Sequence, residues 1–322
     1  MRLGQLMFTL RLALTLLVAA VAAALIAPFV APLVASAGLH FPFPRILDRV
    51  VMVTMAVAIG WQSRELRLLA RLRQAFARPR SNGAAGALGL AMGAAAIGIL
   101  WVLASIIPHR STASHGSPLI AVVTAIVPAL TIAVIEESFF RAIVLDGMAE
   151  DFSPRTGLIA SSAIYAAAHF VRAPARFQLV GIHPLAGLQT LAAGLRHLGH
   201  PITAAPGLFG LFLLGLLLGI SFLKTGRVYF AIGLHASLIA GARTFRKFAP
   251  GAQSAPGWLR GYGFPPLISG AAAWLVTLAL LAIASRINWD RIAPASSANG
   301  SPSKDRARKT SGRALEARKN HS

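Results

Sequence analysis

Residues 111–141 read STASHGSPLIAVVTAIVPALTIAVIEESFFR, and no Asp, Glu, Lys or Arg occurs in the stretch until Glu136, Glu137 and Arg141 close it. A helix needs roughly 20 apolar residues to cross the hydrocarbon of a bilayer, and this run is long enough. An ionisable group at such depth is costly unless it is paired or wetted, which makes the two glutamates functional candidates. Arg141 follows Glu137 at i+4 with the acid on the amino-terminal side, the favoured geometry for an ion pair on one helix face. Glu136 lies about 100° round the axis from Glu137. One carboxylate is therefore anchored while its neighbour stays available. The competing reading of the same residues is a purely structural ionic latch.

Seven further runs are free of charged residues: 12–44, 50–63, 81–109, 156–171, 197–223, 228–242 and 261–285. With 56% of residues hydrophobic and only 13% charged, the chain departs from soluble globular composition, where about 25% charged residues would be expected. The pattern predicts an all-α polytopic transmembrane bundle of about eight helices around a polar intramembrane cavity. The runs 50–63, 156–171 and 228–242 are short for a crossing, so neighbours must shelter them. The membrane-embedded domain spans 1–285, and the Ser-, Lys- and Arg-rich residues 286–322 form a basic disordered tail. Without cysteine there are no disulfides, thiolate metal sites or thiol nucleophile.

The formal charge of +21 would suggest nucleic acid on a soluble protein. Here the basic residues, such as Arg64 to Arg80 and Lys304 to Lys319, cluster between or beyond the apolar runs. They read as topology signals and contacts with anionic lipid headgroups, with no nucleic acid involved. With eight crossings, 21 of the 31 Lys and Arg fall on the side of the two termini. That side is the cytoplasm under the positive-inside rule, as in a bacterial inner membrane. The segment 172–205 mixes Arg172, Arg176 and Arg196 with three prolines and reads as an external loop, a re-entrant segment or a lid.

Of the nine histidines, only His169 and His235 fall inside short apolar runs. Asp151-Phe152-Ser153-Pro154 marks a turn, with 16 residues back from Phe152 to Glu136 and 17 forward to His169. At about 1.5 Å per residue, an antiparallel hairpin sets the two at nearly equal depth. His235 lies nine residues after Gly226, the expected turn between the sixth and seventh helices, and so reaches into the membrane on a third span. A cavity opening to the cytoplasm would keep these groups hydrated. His183, His197 and His200 lie in the irregular 172–205 segment without helical ligand spacing and read as surface or loop residues.

Glu136-Glu137-Ser138-Phe139-Phe140-Arg141 resembles the Glu-Glu-x-x-x-Arg motif of the CAAX protease and bacteriocin-processing family of intramembrane proteases. Tyr165-x-x-x-His169 is similar to its second motif, usually Phe-x-x-x-His. Gly233-Leu234-His235-Ala236 resembles the start of its third, His-x-x-x-Asn. The likeness covers roughly 118–242. This chain departs from the pattern at Ala142, commonly Gly, and at Ile239, usually Asn. The resemblance implies an endopeptidase acting on a peptide or protein substrate: Glu136 and His169 activate a water, His235 helps hold the oxyanion, and Glu137 orients the site through Arg141. Two His and one Glu can also make a catalytic zinc site, here Glu136, His169 and His235. No His-Glu-x-x-His helix is present, however, and adjacent glutamates supply a base without a metal.

Ile239 follows His235 by one helical turn, about 40° round the axis, and cannot donate a hydrogen bond as Asn would. That absence supports a rival reading, a catalytically silent scaffold or immunity-type protein of the same fold. A proton-coupled transporter would also bury Glu, His and Arg, but there is no internal repeat and no Gly- or Pro-broken helix near Glu136. Reporter fusions after Ser63 and Asn299 are expected to register the cytoplasmic side. Signals from outside the membrane only would reverse the orientation.

Overall fold

The computed structural model describes residues 7–106, 116–171, 181–198, 201–249, 255–263 and 265–292, and all regular structure among them is helical. Eight helices account for the eight uncharged runs: α1 (Met7–Ser36), α2 (Phe43–Trp61), α4 (Pro79–Ile106), α5 (Pro118–Phe139), α7 (Pro154–Ala168), α9 (Pro201–Thr225), α10 (Tyr229–Phe248) and α12 (Ala271–Arg286). Short helices lie between or after them: α3 (Leu68–Ala75), α6 (Asp146–Asp151), α8 (Ala186–Leu198), α11 (Gly257–Arg260) and α13 (Trp289–Ile292). By length and composition, 8–36, 79–106, 118–151 and 203–225 are able to cross a membrane. The chain is an all-α polytopic membrane protein.

Packing follows residue size. In α5 the buried positions Ala125, Ala129, Ala133 and Glu137 recur every four residues, while Ile120, Val123, Val127, Leu130 and Ile135 point outward. The stripe of small side chains lets α10 lie close, and Glu137 continues it, so its carboxylate faces that helix. α10 is sandwiched between α5 and α4, α7 packs on α9, and α12 closes against α9 and α4. The α4–α10 contact is a backbone approach: a Cβ on Gly89 would overlap Phe230 O and Leu234 N, and one on Gly233 would overlap Gly86 O. α1, α2 and α8 form a flanking group, joined through the buried Ala24, Ala27, Ala31 and Ala186.

Between α5 and α6 the helix widens into a π segment, Phe140–Leu145, every residue of which is buried. Such segments recur at functional sites because they re-aim the side chains around them. The turn at 151–154 forms as expected, with Pro154 in the first turn of α7 and the Thr156 N–H donating to Ser153 Oγ at 3.1 Å. The acids beyond the π segment meet α3 and the start of α1: Arg71 binds Asp146, and also Glu150 at 2.6 Å, while the Thr9 N–H donates to Asp151 at 2.7 Å.

Two segments hold more regular structure than their composition suggests. The segment 172–205 contains regular structure: residues 186–198 are helix α8 against α1, and α9 already begins at Pro201. Its first part, 172–180, lies outside the described residues. Beyond Arg286, the buried Trp289 of α13 stacks edge-on against Phe230 and donates from its indole to Ala284 O at 3.0 Å. The remaining tail, 293–322, lies outside the described residues.

Gly89→Val is expected to force α4 and α10 apart and to cost about 1–3 kcal/mol, the range for overpacking. Gly98→Val, with nothing within 4 Å of its Cβ position, should be neutral. Melting temperatures of the detergent-solubilised variants check the difference.

Candidate active site

Five side chains meet where α5, α7 and α10 converge. Glu137 and Arg141 are both completely buried, and Arg141 donates from Nε to Glu137 Oε2 at 2.8 Å. The other Glu137 oxygen accepts from His235 Nδ1, also at 2.8 Å, across to α10. Glu136, on the next face, keeps 28% of its side chain exposed and sets Oε2 3.8 Å from His169 Nε2 and 3.9 Å from His235 Nε2. Among the described residues that oxygen has no hydrogen-bond partner.

The partners determine which nitrogens carry hydrogen. A carboxylate and a carbonyl only accept. His235 Nδ1 faces Glu137, and His169 Nδ1 faces the Tyr165 carbonyl at 2.8 Å, so both Nδ1 atoms are N–H donors. In their neutral forms both imidazoles then present a lone pair at Nε2 towards Glu136. Three acceptor atoms surround one small space, the environment a water with two hydrogens satisfies. A separation of 3.8 Å is too long for a direct hydrogen bond and suits a bridging water.

Tyr165 ties the group together. It is fully buried, its ring packs edge-on against Phe140 and His169, and the Arg141 guanidinium lies 5.0 Å from the ring centre. Its hydroxyl stands 3.4 Å from His235 Nε2. Sequence reasoning placed Tyr165 in the second motif but gave its hydroxyl no role, and it missed the Glu137–His235 bond. An aromatic four residues before His169 was the available signal for such a role. His183 instead pairs with Gln189 at 3.2 Å, away from the cluster.

A cavity of about 210 Å³ opens from the cluster, with Tyr165, His169 and His235 at one end. It runs along α10 past Ile239 to Ala242 and is lined there by Pro265 to Ile268 as well, on the side of His235 away from the Gly226 turn. Apart from Thr277 its remaining lining is apolar, so its polarity is confined to the end that holds the cluster. Among the described residues no three His, Asp or Glu side chains are placed to hold a metal ion.

Residues 118–239 match the family described as type II CAAX prenyl endopeptidase Rce1-like, the part of the chain that holds every member of the cluster. No curated protein matches the chain, and no solved structure does.

Removing one partner of a buried ion pair typically costs about 3–5 kcal/mol, because the other charge is left uncompensated. Arg141→Ala and Glu137→Gln are both expected to lower the melting temperature and the yield of folded protein. Unchanged melting in either variant would show that the buried pair does not hold the site.

Proposed function

We propose that the chain, whose residues 118–239 match the Rce1-like type II CAAX prenyl endopeptidase family, is an intramembrane endopeptidase that hydrolyses a peptide bond with a water activated by Glu136 and His169. The observation that carries this reading is the unpartnered Glu136 oxygen facing the Nε2 atoms of His169 and His235, two histidines that line an otherwise largely apolar cavity.

A water about 2.8 Å from both Glu136 Oε2 and His169 Nε2 would be held by its two hydrogens, leaving an oxygen lone pair free. That oxygen attacks the carbonyl carbon, and its proton passes to Glu136. The carbonyl π electrons move to oxygen, forming a tetrahedral oxyanion. When the carbonyl re-forms, the C–N bond breaks and the leaving nitrogen takes the proton back from Glu136. The products are a carboxylic acid and an amine, and the carboxylate is regenerated. Glu137 fixes His235 by its hydrogen bond, and Arg141 balances the Glu137 charge. With its Nδ1 hydrogen committed to Glu137, the neutral His235 ring presents a lone pair and no donor at Nε2.

The alternative of a silent scaffold rests on Ile239, which lines the cavity where the resembled motif has Asn. Both readings place the chain in a membrane, with a peptide or protein partner and anionic lipid headgroups about its basic loops.

Glu136→Gln keeps the volume of the side chain and removes its basicity. It is expected to abolish cleavage in reconstituted protein challenged with a peptide library, with melting temperature unchanged. Near-normal turnover in that variant would remove Glu136 as the base, and a wild-type chain that cleaves nothing would favour the scaffold.

A further inference from the structure

We propose that the phenolic hydroxyl of Tyr165 is a catalytic residue, donating a hydrogen bond to the oxyanion formed at the scissile carbonyl. The inference rests on the endopeptidase reading and adds the donor that reading lacks. An oxyanion needs hydrogen-bond donors aimed at it, and few side chains lining this cavity can supply one. Neutral His169 and His235 turn lone pairs inward, as their Nδ1 hydrogens are committed to the Tyr165 carbonyl and to Glu137. Thr277 donates to Ala273 O at 2.7 Å. Ile239 has no donor.

Tyr165 remains. Tyr165 lines the cavity beside His169 and His235, and its hydroxyl meets His235 Nε2 at 3.4 Å, beyond the usual range for an O–H donor. A bond that long is easily exchanged for a shorter, charge-assisted one to an oxyanion. The ring itself has little freedom, being held by Phe140 at 5.0 Å, His169 at 4.6 Å and the Arg141 guanidinium at 5.0 Å. A donor held in place before the reaction costs no reorganisation when charge develops.

Two of the three places where this chain leaves the resembled motifs, Tyr165 and Ile239, then have one explanation. A donor is absent from α10 at Ile239, and a hydroxyl is present on α7 at Tyr165, where Phe is usual. Both residues line the same cavity, so one departure makes up for the other.

The test compares purified full-length wild type, Tyr165→Phe, Ile239→Asn, the double variant and Glu136→Gln on a cleaved peptide. Tyr165→Phe is isosteric and should melt like wild type. Its kcat is expected to fall about 10²- to 10³-fold, the typical loss for one oxyanion donor, with KM little changed. Adding Ile239→Asn to Tyr165→Phe should restore kcat by about tenfold or more. Near-wild-type kcat in Tyr165→Phe beside an inactive Glu136→Gln would overturn the role of Tyr165 and leave the endopeptidase reading standing. A loss that appears in KM or melting temperature and is not rescued by Asn at 239 would reduce Tyr165 to a packing residue. No cleavage by wild type would overturn both.

Discussion

The carboxylate of Glu137 has no contact with solvent and divides its two oxygens between Arg141 on its own helix and His235 on α10. Burying these charges costs several kcal/mol per ion, and the pairing offsets that cost only with good geometry, so the cluster is weak evidence for stability. Its consequence is positional. A rotation of α5 by one residue, about 100°, would turn Glu137 away from α10 and bring Glu136 into its place. The observed rotation leaves Glu137 paired twice and Glu136 Oε2 facing two histidines without a direct hydrogen bond. The difference in chemistry between two adjacent glutamates therefore comes from helix packing.

That packing is set by small side chains. The alanine stripe of α5 and the glycines at 89 and 233 bring α10 close to both neighbours, and close backbones admit few rotations or shifts. In lipid, where burying apolar surface between helices gains little, such fit is the main source of helix association. A helix held on two sides at backbone distance keeps the His235 ring at one height, and the Glu137 bond then fixes its tautomer.

Much of this was legible in the primary structure because lipid imposes a simple code. Uncharged runs located the eight main helices, and counting residues from the 151–154 turn brought Glu136 and His169 to one depth. Hairpin arithmetic of that kind needs only helical rise. The Glu137–His235 bond could not be read, since it depends on the rotation of α10 about its axis, which the short run 228–242 does not specify. The π segment at 140–145 has no local signature, as its residues would also suit an α-helix. Tyr165 was hidden by its surroundings, because in a run of Ala and Ile an aromatic ring reads as core and its hydroxyl acquires meaning only beside His235. Helix α8 was obscured by the prolines and arginines flanking it.

The charge inventory of the cluster bears on why its walls are apolar. With both imidazoles neutral, Glu136, Glu137 and Arg141 carry one net negative charge. In the proposed reaction Glu136 takes up a proton from water as the oxyanion forms a few ångströms away, so the net charge stays constant and only its location changes. Moving a charge over a short distance between prepared sites costs far less in a low-dielectric cavity than creating one. The leucines, alanines and prolines from Leu100 to Leu280 that line the rest of the cavity keep water from competing for the oxyanion. The same walls leave any uncompensated charge expensive, which requires every group that meets the oxyanion to be in place before the negative charge arrives.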